Sequence, residues 1–136
     1  MPTNDDKKIK EILKAAKTIA VIGASNKPWR DSNRITGYLK RNGYSVIQVN
    51  PSYTEIDGEK CYPDLKSIGK PIDVVDVFRS PDAVDEIVDD AIGVKAKVIW
   101  LQLGVVNESA AKRAESTGIQ VIMDRCIMVD HSRLMR

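Results

Sequence analysis

Apolar positions along this chain follow two alternating rhythms: short, unbroken β-branched runs, and longer stripes at three- and four-residue spacing. Ile9, Ile12, Leu13 and Ala16 form a stripe between Asp5 and Lys17, with acids in its first turn and lysine at its end, which predicts a helix. The run Thr18 to Ile22, halted by Gly23, reads as a strand buried on both faces and therefore central. Ile35, Tyr38 and Leu39 then recur at helical spacing until Asn42-Gly43, where glycine suits a left-handed C-terminal turn. Tyr44 to Asn50 is a second strand, stopped by Pro51, which cannot continue a central ladder. Tyr53 to Pro63 holds an Asp57-Gly58 turn, so a small hairpin or irregular excursion is expected there.

Ile72 to Phe78 gives the third strand, after which Ser80-Pro81 opens a helix carrying Val84, Ile87, Val88 and Ala91 as far as Gly93. Lys97 to Gln102 is the fourth strand. Asn107 caps a helix through Ala110, Ala111 and Ala114, Ile119 to Met123 is the fifth strand, and from Asp124 a loop and short helix close the chain. Regular alternation of strand and helix predicts an α/β, three-layer, Rossmann-like fold: a doubly wound sheet of about five mainly parallel strands with helices on both faces. No repeat or linker interrupts the 136 residues, so one domain is expected over 1–136. In such a sheet the ligand sits beyond the carboxyl ends of the strands, where strand order reverses. That rule selects the loops 23–33, 50–53, 78–81 and 102–106.

Composition narrows the function classes. A formal charge of +2 is too mild for a general nucleic-acid footprint, and no apolar run reaches the roughly eighteen residues a membrane helix needs. A charged N-terminus without an export signal, and two cysteines outside any Cys-x-x-Cys pair, point to a cytoplasmic protein with reduced thiols.

The first loop, Gly23-Ala24-Ser25-Asn26, has the place and composition of a phosphate-binding turn, because glycine admits an anion to the backbone and helix-start amides donate to it. An ordinary strand-to-helix turn is the plainer reading. The nicotinamide fingerprint is absent: it needs three spaced glycines and an acid at the end of the second strand, where this chain has Asn50-Pro51. Lys27, Arg30 and Arg34 crowd the same loop, suiting a ligand with several phosphates, although each could equally be a solvated surface charge.

Gly-Ala-Ser at 23 to 25, Pro28, Asn33, Val49-Asn50-Pro51, Trp100-x-Gln102-x-Gly104 and Arg125-Cys126-Ile127-Met128 resemble the small stand-alone CoA-binding domain proteins. Those are similar to the CoA-binding N-terminal domain of the succinyl-CoA synthetase α subunit. The resemblance covers about Ile9 to Arg133; Trp29 and Arg34 are bulkier than its pattern leads one to expect. It implies coenzyme A as the cofactor. Gly23, Ala24 and Ser25 would hold the pyrophosphate; Arg30 and Asn33, after Pro28, would close over the phosphates. Asn50 and Pro51 would lie near ribose and adenine, Phe78 and Arg79 would border the adenine and its neighbouring phosphate, and Gln102 and Gly104 would line the crevice floor.

The resulting expectation is a CoA or acyl-CoA binding module, non-catalytic or regulatory, with no metal, no nucleic acid and no membrane, and with a homo-oligomer or protein partner left open. Two enzyme readings stand beside it: an NAD(P)-dependent oxidoreductase, and a CoA-thiol exchange at Cys126, which lies five residues before His131, the single histidine. Asp73 and Asp76 fall on opposite faces of a buried strand, so each is expected to have a structural partner such as a helix N-terminus or an arginine.

Overall fold

The computed structural model describes residues 2–135. Its seven-stranded sheet has the order β3-β4-β2-β1-β5-β6-β7. The strands are β1 (Thr18–Ile22), β2 (Ser45–Val49), β3 (Glu55–Ile56), β4 (Glu59–Tyr62), β5 (Val74–Val77), β6 (Val98–Leu101) and β7 (Gln120–Met123). The helices are α1 (Asp6–Ala15), α2 (Asp31–Arg41), α3 (Val84–Gly93), α4 (Glu108–Glu115) and α5 (Ile127–Leu134). Pro81–Ala83 forms a 3-10 turn ahead of α3, so Ser80-Pro81 opens a tighter turn before the helix proper.

The strand count differs from the expected five because the 53–63 excursion joins the sheet. β4 pairs in parallel with β2 (Gln48 opposite Cys61, Val49 opposite Tyr62), and β3 folds back antiparallel onto β4. The hairpin turns at Asp57 and Gly58, both with positive φ, the geometry a two-residue hairpin requires. Its apolar signal is only Ile56 and Cys61, too short to show a rhythm in sequence, yet both are buried.

Alternation along the strands sorts the core. Ile19 and Val21 of β1 pack on the side of α1, α2 and α5 with Ile9, Leu13, Ile35, Leu39 and Ile127. Ala20 and Ile22 face the other side with Val84, Val88, Ala110 and Ala114 of α3 and α4. Because α2 leaves β1 onto one face and α3 leaves β5 onto the other, the crossovers part between β1 and β5, which opens a crevice at the carboxyl edge.

Asp73 and Asp76 separate in fate. Asp73 accepts from the N–H groups of Lys17 (2.8 Å) and Thr18 (3.0 Å), with Lys97 at 3.3 Å. Burial would raise its pKa, but these partners outweigh burial and hold the carboxyl below its ordinary range. Asp76, opposite Val21 and Trp100, is fully buried and neither carboxyl oxygen has a hydrogen-bond partner, contrary to the expectation of one. Burial pushes its pKa well above the usual value.

Candidate functional site

At the switch point the turn after β1 and the end of β5 meet backbone to backbone. Gly23 has φ +89°, and a Cβ there would lie 2.4 Å from the Phe78 carbonyl oxygen. Glycine is thus demanded by the junction of the two loops as well as by backbone conformation.

From this junction the 23–27 loop is braced on three sides. Asn50 Nδ2 donates to the Ala24 carbonyl (2.8 Å), Asn33 Nδ2 donates to the Ser25 carbonyl (2.8 Å), and the Tyr53 hydroxyl donates to Asn26 Oδ1 (3.0 Å). Asn33 Nδ2 also reaches Asp57 Oδ2 (3.1 Å), which ties the loop to the hairpin turn. Ser25 Oγ accepts from the Lys27 N–H (3.1 Å), leaving its own hydroxyl proton to donate. The loop carbonyls are therefore occupied from behind.

A pocket of about 760 Å³ opens in front of this loop. Of the residues singled out in sequence, Gly23, Ser25, Arg30, Asn50, Phe78, Arg79 and Gln102 lie on its wall. Ala24 is wholly buried behind it, and Asn33 acts through its bonds to the loop and hairpin. Pro51 lines a second pocket, of about 280 Å³, that shares Gly23 and Arg79 with the first. Pro28 and Gly104 are exposed and on neither wall; the Gly104 N–H donates to Asp124 Oδ1 at 2.7 Å.

Lys27, Arg30 and Arg79 are in no salt bridge among the described residues, whereas Arg34 is held by Asp31. Two helix N-termini converge on the same space. Asp31 and Ser32 of α2 and Met128 and Val129 of α5 line the pocket, and neither N-cap residue, Arg30 nor Cys126, supplies a side-chain cap. Such ends present amide donors and partial positive charge to an anion.

Sequence reasoning did not single out Tyr53, Ser80, Leu103 and Val105 individually, though each falls in a loop that the switch-point rule selects. It quoted Met128 only within the Arg125-to-Met128 motif, with no role in the site, and missed Val129. Their place depends on α5 returning to the crevice, where Gln102 Oε1 accepts from the Ile127 N–H (3.1 Å) and Trp100 Nε1 donates to the Arg125 carbonyl (2.9 Å), contacts with no local signature.

The thiols and the histidine divide likewise. Cys126 lines the pocket, but His131 is buried elsewhere, its Nδ1 2.8 Å from the Tyr38 hydroxyl and its ring edge-on to Tyr38 and Tyr44. Five residues along a helix turn through about 500°, which sets the two side chains on different faces. No Cys–His dyad forms. Burial lowers the His131 pKa and, despite a bond to the Asn50 carbonyl, raises that of Cys61. Among the described residues no helix is long and apolar enough to cross a membrane.

Residues 17–132 match the family model described as CoA binding domain. The chain is 41% identical over 124 residues to the uncharacterized protein YneT of Bacillus subtilis, covering 91% of this chain and 92% of that one. It is also 31% identical over 121 residues to acetate–CoA ligase (ADP-forming) I of Archaeoglobus fulgidus, covering 82% of this chain but 18% of the ligase. A hypothetical protein from Pyrococcus horikoshii OT3 superposes with a TM-score of 0.95 at 43% identity, over 100% of this chain and 97% of that one.

Proposed function

Because the chain belongs to the CoA-binding domain family, we propose that it binds coenzyme A or an acyl-CoA in the 760 Å³ pocket, as a cytoplasmic module without catalysis of its own. One observation carries the reading: a backbone-lined turn, the starts of α2 and α5 and the cations Lys27, Arg30 and Arg79 line one cavity. The pyrophosphate lies against Gly23 and Ser25, with Arg30 and Arg79 closing on it. CoA adds a ribose 3′-phosphate, which gives a third cation something to meet. A nicotinamide site fits less well, since Asn50 commits its amide to the loop and β2 ends without an acid for the ribose. The ligase likeness covers too little of that enzyme to bring its reaction here.

Calorimetric titration tests the proposal. CoA should bind, and Arg30→Ala should weaken it about tenfold, the loss of one charge-assisted contact. No heat from CoA alongside tight NADP or ATP binding would overturn it.

A second reading, thiol exchange, is favoured only by Cys126 lying on the pocket wall. In that exchange the Cys126 thiolate attacks a CoA disulfide, one sulfur–sulfur bond replaces another, and a CoA thiolate leaves. Intact mass after CoA disulfide treatment decides it: the parent should gain one CoA and Cys126→Ala none. An unchanged parent ends this reading.

A further inference from the structure

The pocket has a second chemistry that phosphate binding does not use. Large apolar side chains left exposed in the described chain are Trp29 (73%), Val106 (45%), Leu103 (66%) and Val129 (53%), and all four belong to segments at the carboxyl edge of the sheet. Exposed apolar residues scattered singly, as Trp29 and Val106 are, call for no explanation, but a pair on the wall of one cavity does. Leu103 and Val129 stand on the wall of the large pocket beside Val105 and Met128.

Topology separates this wall from the phosphate end. Gly23 to Arg30 follow β1, while Leu103 and Val105 follow β6, and β5 lies between those strands. Two strand spacings make about 10 Å across the edge. Arg79, after β5, stands between the two ends.

Gln102 adds a polar anchor on the apolar side. It is 6% exposed and lines the pocket. Its orientation is fixed because the Ile127 N–H must meet the side-chain oxygen, at 3.1 Å. The Nε2 group is thereby left without a protein acceptor among the described residues, a donor open to a cavity whose neighbouring wall is aliphatic.

Building on the CoA reading, we infer that this end of the pocket selects the acyl thioester over the free thiol: the chain lies on Leu103, Met128 and Val129, and the Gln102 amide donates to the thioester carbonyl. The ligand class is then CoA carrying a short aliphatic acyl group. A fully buried methylene is worth about a fourfold gain in affinity. Here the wall is open on one side, and about twofold per methylene is expected.

The test compares affinities for CoA, acetyl-CoA and hexanoyl-CoA by calorimetry. Hexanoyl-CoA, four methylenes longer, should bind about fifteenfold more tightly than acetyl-CoA in the parent. The ratio should fall towards one in the double variant Leu103→Ser, Val129→Ser, whose exposed sites leave the fold intact, as circular dichroism can verify. In Arg30→Ala all three affinities should drop while the ratio stays. Equal affinities of the parent for acetyl- and hexanoyl-CoA would overturn the inference and leave CoA binding standing, and so would a ratio that survives the double variant. Binding of none of the three would instead defeat the CoA reading, and this inference with it.

Discussion

Asp76 carries two carboxyl oxygens into the middle of the sheet with nothing to bond them. Burial penalises the charged form, so the folded protein holds this group as the neutral acid well above the ordinary carboxylate range. The raised folded pKa fixes the sign of the pH effect. Its contribution is whole below about pH 4, the unfolded value, and is lost as pH rises towards the folded value, at about 1.4 kcal/mol per pH unit. Asp76→Asn cannot ionise, so its melting temperature relative to the parent should climb as pH rises above about 4. Parallel curves would show that Asp76 is solvated after all. Gly23 sets the opposite limit. Gly23→Ala brings a methyl group within 2.4 Å of the Phe78 carbonyl and forces a positive φ on alanine, so the two loops must part. A loss of stability of about 2–3 kcal/mol in urea melts is expected, together with weakened CoA binding. The need for glycine was legible at position 23 from its place after β1, but the carbonyl that demands it belongs to Phe78, just past β5 and 55 residues away, and was not.

At the level of elements, α5 shows why part of the site escaped sequence reasoning. Its stripe is short, and what fixes it is polar. Arg125 makes a two-pronged contact with Asp130 at 2.7 and 2.8 Å, and Arg133 bridges Asp130 (3.0 Å) to Asp6 of α1 (2.8 and 2.9 Å). Burial pulls the Asp130 pKa upward, but the two arginines outweigh it and hold the carboxyl below its usual value. Its stabilising effect is therefore present above about pH 4 and lost as pH falls through the lower folded value. Asp130→Ala removes a nearly buried anion from partly exposed arginines and should cost about 2 kcal/mol at pH 7, with the deficit shrinking on acidification. An acid-independent deficit would mean that packing, rather than charge, holds α5. By contrast, Ile9, Ile12 and Leu13 announced α1, and Ser80-Pro81 announced the turn before α3, because those signals are local. The β3–β4 hairpin was visible only as its Asp57-Gly58 turn, since strands this short acquire their pairing from β2.

For the molecule as a whole, alternation led to a doubly wound sheet with β1 at its centre and a crevice at its carboxyl edge, while the full order of seven strands came from the structure. What the chain could not disclose was which loop side chains face the crevice and which, like Asn33 and Asn50, turn back to hold its wall. That division has a thermodynamic consequence. Net charge is only +2, so the attraction for a multiply phosphorylated ligand is local to Lys27, Arg30 and Arg79, within about one Debye length, roughly 8 Å, in physiological salt. A ligand there touches loops after β1, β2, β5 and β6 and the starts of α2 and α5, which join distant parts of the sequence. It should bind the folded chain and ignore the unfolded one. At a hundred times its dissociation constant it adds about 2.7 kcal/mol, which for a chain of 136 residues raises the melting temperature by roughly 10 °C. Thermal melts with CoA in low and high salt should show that rise shrinking as salt screens the phosphates. A rise that adenosine alone reproduces, or that salt leaves untouched, would place the binding energy away from the cations and against the geometry of the pocket.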